Sequence, residues 1–285
     1  MRWLAALIAT TLLTAPDALA QKPDGPNACD AGRLALAAGE TSTAADQFET
    51  CLQTEDLEPH EEVGVYAALG AALLNESRFA DALSAYNFAF AIIDTQLAEV
   101  AEPSLWRNRG IARLQLGQLD GALADLQRAS REMPDDVMTQ LNLGIIYQDM
   151  GRAADAVVAY DTVVRLEPDW MGAWINRSSA LLDAGMTGAA VEDARRAVEL
   201  EPDNGTTLNM LCWTLIQDGR AQTALPLCEQ AVALEPESGA IIHSHASALE
   251  ALGRMDEALP LYRRAWQLAP DDPEITQDYE RTHNP

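Results

Sequence analysis

The sequence predicts an all-α solenoid of stacked helix pairs, because the same landmarks return at a fixed period. Proline recurs every 34 residues, at Pro134, Pro168, Pro202, Pro236 and Pro270. Glycine and alanine recur in the same register, at Gly117, Gly151, Gly185, Gly219 and Gly253 and at Ala122, Ala156, Ala190, Ala224 and Ala258. Two apolar runs of helical period lie between successive prolines, one on each side of the glycine. A glycine can end the first helix and a proline stops the second, so each unit is predicted to be a short antiparallel helix pair.

The unit from Val137 to Trp170 carries the pattern most completely. Its landmarks are Leu143-Gly144, Tyr147, Ala156 and Tyr160. Three further landmark positions of the repeat are shown by residues of other repeats, namely Trp174, Ala265 and Pro270. Together these landmarks resemble the spaced Trp, Leu-Gly, Tyr, Ala, Phe/Tyr, Ala and Pro positions of the tetratricopeptide repeat family. The resemblance implies a right-handed superhelical solenoid of about seven helix-turn-helix repeats with a short C-terminal capping helix. The sequence resembles an exported, bacterial-type member of that family.

Residues 1–20 have the pattern of a secretory signal peptide. Arg2 precedes the apolar run from Trp3 to Leu13, and Ala18-Leu19-Ala20 supplies small residues for cleavage. The alternative is a transmembrane helix, but that would need roughly 20 apolar residues, more than this run contains. We expect a mature protein that begins with a short leader, residues 21–24, is exported to the periplasm or secreted, and has no integral membrane segment after cleavage.

Seven repeats are predicted to follow, near residues 25–58, 63–96, 103–136, 137–170, 171–204, 205–238 and 239–272. The second repeat lacks two landmarks, since Ser77 replaces the turn glycine and Asp94 replaces the stop proline. Without that stop, its second helix is expected to run on through the extra segment from Leu97 to Glu102 until Pro103.

A closing helix is predicted after the last repeat, in residues 273–285, which also include a short tail. Asp272-Pro273 offers an N-cap and a first helical residue, and Ile275 and Tyr279 fall on one face. Solenoids need such a cap because the last repeat otherwise exposes an apolar face.

Two arginines occupy position 7 of a repeat, which is normally apolar. They are Arg109 and Arg177, and the same two repeats alone carry an acid at position 23, Asp125 and Asp193. Positions 7 and 23 face each other across the hairpin, so we predict two partly buried structural ion pairs, Arg109–Asp125 and Arg177–Asp193. The alternative is that the arginines are reserved for a ligand.

The four cysteines fall into two pairs. Cys29 and Cys51 lie in the first repeat, and Cys212 and Cys228 lie in the sixth, each pair at one level of an antiparallel hairpin. An exported protein meets an oxidising compartment. Of the three connectivities that four cysteines allow, we therefore predict Cys29–Cys51 and Cys212–Cys228 as structural disulfides.

The formal net charge of −25 disfavours nucleic acid and anionic membrane surfaces as partners. A neutral or basic partner is favoured. The alternative interpretation is that most of this acidity covers solvent-facing helix surface.

Catalytic signatures are not found in the sequence. The single lysine, Lys22, lies in the leader, which excludes a P-loop, a lysine Schiff base and a Ser-x-x-Lys nucleophile. The start of a zinc-protease motif at His60-Glu61-Glu62 is followed by Gly64 instead of a second ligand. His243 and His245 are two residues apart on a predicted helix and point to different faces. We predict a protein that is not an enzyme and uses no metal or cofactor.

The remaining candidate site is the concave surface, which in this family is lined mainly by positions 2, 5, 6, 9, 12 and 13 of the first helices. Position 6 is Asn108, Asn142 and Asn176 in three consecutive repeats, which resembles the asparagine ladder by which some members hold a peptide backbone. An amide can donate to a carbonyl and accept from an N–H, so it can grip an extended chain of any sequence. Of the apolar side chains expected beside the ladder, Leu141, Ile145, Ile175 and Trp213 are predicted to take the side chains of the ligand. The others are Ile111, Leu114, Met138, Leu182, Met210 and Ile216.

Two functional classes remain open. The first is a periplasmic or envelope module that holds an extended, partly apolar segment of another protein in this peptide-binding groove. The second is a structural scaffold, or a self-associating envelope assembly factor, that acts through its outer surface. Asparagine is also simply common at position 6 in the family, and packing between neighbouring helices is the alternative role for some of the apolar residues.

Overall fold

A computed structural model describes residues 27–97 and 101–283 of the chain. The predicted signal peptide (1–20) and leader (21–24) lie outside the described residues. Within the described residues the structure contains fifteen α-helices, one π-helical segment and no β-strand. The all-α fold class predicted from the sequence is confirmed.

The helices follow one another in pairs joined by short turns. Their bounds are α1 Ala28–Ala37, α2 Thr41–Thr54, α3 Pro59–Asn75, α4 Phe79–Ile92, α5 Pro103–Gln115, α6 Leu119–Glu132, α7 Val137–Asp149, α8 Ala153–Leu166, α9 Met171–Asp183, α10 Thr187–Leu200, α11 Gly205–Gln217, α12 Ala221–Leu234, α13 Gly239–Ala251, α14 Met255–Leu268 and α15 Pro273–His283.

The chain divides into two compact units between Ile146 and Tyr147. We call residues 27–146, apart from 98–100, the N-terminal unit and residues 147–283 the C-terminal unit. Helix α7 begins in the first, and its last residues belong to the second. In the part of the chain that the structure describes, no helix has both the length and the apolarity needed to cross a bilayer.

In the N-terminal unit, the first three hairpins each pack a first helix on its own second helix. Successive hairpins are joined by the packing of α2 on α3 and of α4 on α5. The close approach within a pair is visible at Gly70 on α3. A Cβ atom at Gly70 would lie 2.6 Å from the ring of Tyr86 on α4, so only glycine fits against this buried tyrosine.

The C-terminal unit shows which helices form its inner layer. The first helices α9, α11 and α13 contact one another in sequence, whereas the second helices α10, α12 and α14 make no comparable contact. In a curved stack of repeats, the helices on the inner side lie closest together. The first helices therefore form the concave layer of this unit.

The turn inside each hairpin needs a residue with positive φ, which glycine adopts without strain. Gly151 is one example, with φ of 69°. In the second repeat the same place is taken by Ser77, with φ of 59°, which is the single non-glycine residue with positive φ among the described residues. Ser77 therefore carries local backbone strain that the other turns avoid.

The end of the second repeat differs from the expectation. After Ile92 the helix continues as a π-helical turn over Ile93–Leu97, but Ala101 and Glu102 are not helical and α5 begins at Pro103. The prediction that the helix continues to Pro103 was therefore wrong at the C-terminal end of the helix. Residues 98–100 lie outside the described residues. The physical reason is that a residue before proline avoids the α conformation, and Glu102 is extended, with ψ of 136°.

Both predicted cysteine pairs lie at disulfide distance. The Sγ atoms of Cys29 and Cys51 are 1.95 Å apart, and those of Cys212 and Cys228 are 2.05 Å apart. Each pair joins the two helices of one hairpin, α1 to α2 and α11 to α12.

Helix α15 covers the end of the last repeat. Asp272 Oδ1 accepts hydrogen bonds from the backbone N–H groups of Glu274 and Ile275, which caps the helix. Ile275 is buried, and Tyr279 stacks on Trp266 of α14 with ring centroids 4.6 Å apart. The helix thus shields the apolar face that α13 and α14 would otherwise expose.

Candidate functional site

The described residues contain no group of three or more His, Cys, Asp or Glu side chains placed to hold a metal ion. Of the two histidines in α13, His243 is fully buried and its Nε2 lies 2.8 Å from Asp278 Oδ2 of α15. His245 is half-buried, and burial lowers its pKa. His243 is therefore part of the contact that holds the capping helix.

Arg177 forms the predicted ion pair and an additional one. Its Nε and Nη2 donate to the two carboxylate oxygens of Asp193, at 2.6 and 2.8 Å. Its Nη1 donates to Asp161 Oδ1 on α8, at 2.7 Å. The hydrogen bonds to Asp193 raise the pKa of Arg177, and they outweigh the opposing effect of desolvation. The arginine links α8, α9 and α10 and is committed to structural contacts.

Arg109 has an equivalent arrangement in the N-terminal unit. Its Nε and Nη2 donate to Asp125 at 2.8 and 2.9 Å, and its Nη1 lies 3.5 Å from Asn87 Oδ1 on α4. Asp125 also accepts a 2.6 Å hydrogen bond from Arg113, which the sequence interpretation missed. The guanidinium carbon of Arg109 is 3.7 Å from the ring centroid of Phe90. Neither predicted arginine is free to bind a ligand.

The three asparagines at position 6 do not share one environment. Asn142 is buried, and its amide nitrogen donates to the carbonyl of Met138 in the same helix, at 2.7 Å. Asn108 is half-buried, and its Oδ1 accepts from Arg107 Nε at 3.1 Å. Asn176 is half-buried and its amide makes no hydrogen bond within the described structure. A uniform ladder is not what these side chains form, because two of the three amides already have partners in the protein.

The four apolar residues also divide. Leu141 is 2% exposed and Ile175 is 5% exposed, so both belong to the packing between helices. Little of either surface is left for contact with a ligand. Ile145 and Trp213 are partly exposed. Trp213 also contacts the His243 ring, with centroids 6.0 Å apart.

The expected groove residues fall on both units. Asn108, Leu141, Asn142 and Ile145 belong to the N-terminal unit, whereas Ile175, Asn176 and Trp213 belong to the C-terminal unit.

Within the C-terminal unit, the first helices carry further partly exposed residues, of which Leu182 and Ile216 were expected beside the ladder from the sequence. Ser179 and Leu182 on α9, and Ile216 on α11, are all half-buried and lie on the same two contacting helices as Asn176 and Trp213. We call these five residues the first-helix surface. It offers a free amide, a hydroxyl and three apolar groups in the concave layer of one unit.

Comparison with family models identifies the repeat. Two tetratricopeptide repeat models match, one over residues 165–280 and the other over residues 113–174. No protein of curated function matches the chain.

Solved structures show the same fold. A tetratricopeptide repeat protein from Parabacteroides merdae ATCC 43184 is 13% identical, and the match covers 90% of this chain and 97% of that one with a TM-score of 0.66. A thermophilic TPR protein of Thermus thermophilus is 23% identical over 65% of this chain and 100% of that one, with a TM-score of 0.54. A MamA protein is 24% identical over 62% of this chain and 95% of that one, with a TM-score of 0.51.

These identities are too low to carry a partner or a pathway from one protein to another. What they share with this chain is the fold of paired helices, which the family models recognise independently in the sequence. The chain is a tetratricopeptide repeat protein.

Proposed function

We propose that this chain is a non-enzymatic binding module of the periplasm or cell envelope, and that its first-helix surface holds an extended segment of a partner protein. The tetratricopeptide repeat is a protein–protein interaction fold, which supports the general class. The observation that carries the specific proposal is Asn176, a half-buried residue whose amide has no hydrogen-bond partner among the described residues, although its two counterparts do.

The chemistry of the first-helix surface suits an extended and partly apolar ligand. Asn176 can accept from a ligand N–H and donate to a ligand carbonyl, which fixes a backbone without reading its side chains. Leu182, Trp213 and Ile216 can cover apolar side chains of the ligand, which supplies specificity.

Charge favours a neutral or basic partner. Acidic residues outnumber arginines in both units, and the net charge of the chain is −25. This field speeds the capture of a basic segment and makes its binding weaker in salt. The two cysteine pairs at disulfide distance support an oxidising location, as expected for an exported protein.

A double substitution in the first-helix surface tests the proposal. A partner is first captured by pull-down from envelope extract, and its affinity is then measured by titration calorimetry. Asn176→Ala with Trp213→Ala should weaken binding by about tenfold or more, because one backbone contact and one aromatic anchor are lost. The melting temperature reports whether the fold is intact.

The matched control removes an amide and an apolar side chain from second helices. Val158 on α8 is 67% exposed, and Gln230 on α12 is exposed. If Val158→Ala with Gln230→Ala weakens binding while the first pair of substitutions leaves it unchanged, the groove hypothesis is wrong and an outer-surface scaffold is the better interpretation.

A further inference from the structure

An aromatic pair on the second repeat lies apart from the first-helix surface. Tyr66 of α3 and Phe88 of α4 stack with ring centroids 5.3 Å apart and an interplanar angle of 23°. Phe88 is 57% exposed and Tyr66 is half-buried. Counted from Val63, these are positions 4 and 26 of the repeat, so the two helices of one hairpin build the pair.

In the next repeat, an arginine of the same chain contacts the aromatic ring at the equivalent position. Positions 4 and 26 of that repeat are Trp106 and Arg128. The guanidinium carbon of Arg128 lies 4.3 Å from the centroid of the Trp106 ring, which is a cation–π contact supplied by the chain itself. In the second repeat a phenylalanine stands in place of that arginine, so the aromatic surface has no cation from the same position.

The surroundings of the pair are acidic. Residues 63–96 contain one cation, Arg78, which is engaged by Asp81 and Glu76. Burial raises the pKa of Tyr66, and the negative charge of Glu62 adds to this rise. A second copy of a chain with a net charge of −25 would add to this negative field, whereas a basic segment would neutralise it.

We propose that Tyr66 and Phe88 form a docking site for a basic, partly apolar segment of another protein, whose arginine or lysine stacks on the aromatic pair as Arg128 stacks on Trp106. An aliphatic side chain next to that cation would cover the exposed face of Phe88. The site is independent of the first-helix surface, lies wholly in the N-terminal unit, and uses a second helix.

Exchanging the two repeats' residues gives the sharpest test. Phe88→Arg copies the third repeat and should place a guanidinium on Tyr66, which closes the site while keeping the fold. Arg128→Phe copies the second repeat and should leave the Trp106 ring with Arg109 as its cation, since the guanidinium carbon of Arg109 lies 4.9 Å from the ring centroid. The probe is a short fluorescein-labelled peptide of alternating arginine and leucine, and binding is read by fluorescence anisotropy. All variants carry Asn176→Ala and Trp213→Ala, so that the first-helix surface is removed from the measurement.

We expect Phe88→Arg to weaken peptide binding by about tenfold, whereas Arg128→Phe should leave it unchanged, because the Trp106 ring keeps the cation of Arg109. Val158→Arg is the matched control, because it adds the same charge at another exposed apolar position, 67% exposed in the C-terminal unit. That variant should change the affinity by less than about twofold, since it alters the overall charge alone.

Three results would overturn the proposal. The first is an equal loss of affinity in Phe88→Arg and Val158→Arg, which would mean that the peptide senses only net charge. The second is equal binding of a peptide with citrulline in place of arginine, which keeps the shape and removes the cation. The third is a dimer that sedimentation velocity detects in the wild type and not in Phe88→Arg, which would make the pair a contact between copies. Failure of this site leaves the groove proposal intact, because the two are measured in different variants.

Discussion

Arg177 connects three helices through a single guanidinium group, so its removal should be costly. Asp193 is buried, and in the described part of the chain it forms an ion pair with no cation other than Arg177. Arg177→Leu should therefore lower the free energy of unfolding by about 3 kcal/mol, measured by urea denaturation. Adding Asp193→Leu should recover most of the loss, because no unpaired buried charge remains. A single variant as stable as the wild type would contradict the structural role.

Arg109→Leu, the equivalent substitution in the N-terminal unit, should lower the free energy of unfolding by less, because it does not leave a buried carboxylate without a cation. When Arg109 is replaced by leucine, Asp125 keeps its 2.6 Å hydrogen bond to Arg113. The sequence could predict both ion pairs, because comparison of the repeats exposed the charges at positions 7 and 23. It missed Arg113 and Asp161 because these two residues lie outside positions 7 and 23, where the repeats were compared.

Ser77 offers a stabilising substitution. Its φ of 59° suits glycine, its side chain is exposed, and the equivalent turn residues of the neighbouring repeats are glycine. Ser77→Gly should raise the free energy of unfolding by about 0.5–1 kcal/mol, because the strain relieved exceeds the entropy that glycine adds to the unfolded chain.

Gly151→Ser is the reverse experiment for that turn. Nothing lies within 4 Å of a Cβ atom at Gly151, so the substitution tests the backbone conformation alone. It should destabilise the protein by a similar amount in a thermal or urea melt. If Ser77→Gly and Gly151→Ser change the free energy of unfolding in the same direction, strain at the turn does not explain the preference for glycine.

Among the helices, α15 depends on a charged contact that acid should weaken. Arg281 of α15 donates to both carboxylate oxygens of Glu250 on α13, at 2.7 and 2.9 Å. The hydrogen bonds from Arg281 lower the pKa of Glu250 below its ordinary value of 4.5. A carboxylate whose pKa is lowered by folding stabilises the native state above that ordinary value, and the contribution is lost as the pH falls through the lowered value.

Glu250→Gln should therefore lower the melting temperature at neutral pH. The expected loss of unfolding free energy is less than about 1 kcal/mol, as is usual for partly exposed ion pairs. The difference from the wild type should shrink in melts below about pH 4, as the Glu250 carboxyl group becomes protonated. Glu257→Gln is the control, because Glu257 is exposed and pairs with Arg254 at the start of α14 and not with the cap. An equal effect of both variants at every pH would show that Glu250 does not hold the cap.

The stop prolines explain why the C-terminal ends of most second helices could be predicted from the sequence. They do more than end a helix, since Trp174 Nε1 donates to the Pro168 carbonyl and Gln140 Nε2 donates to the Pro134 carbonyl, each at 2.9 Å. Where the proline is missing, after the second repeat, the sequence predicted a longer helix but could not predict that its continuation is π-helical. Trp106, which follows this irregular junction, has a buried Nε1 that finds no hydrogen-bond partner among residues 27–97 and 101–283.

The candidate site was harder to predict than the helices. Position 6 is asparagine three times, but a helical position fixes only the direction of a side chain and not what packs over it. Asn142 and Leu141 are covered, whereas Asn176 is not, and this difference arises from neighbouring helices that the repeat pattern treats as equal. The periodicity therefore located the surface, while the exposed residues had to come from the structure.

The molecule as a whole divides at a point that the sequence does not mark. The boundary between Ile146 and Tyr147 falls inside the most regular repeat, where neither composition nor period changes. Both units are acidic and both are built from paired helices, and in the C-terminal unit the first helices form a layer. The acidity and the partly exposed apolar groups of that layer are the features on which we base the proposal of a basic, partly apolar partner.

Site-specific photocross-linking in intact cells tests directly whether that partner binds the first-helix surface. A photoreactive phenylalanine analogue would replace Leu182 or Ile216 on first helices and, in separate variants, Val158 or Leu234 on second helices, where both side chains are exposed. We predict that the first two positions give a cross-linked partner and that the last two give none. Cross-links from Val158 and Leu234 alone would contradict the groove and show that the protein works through its outer surface.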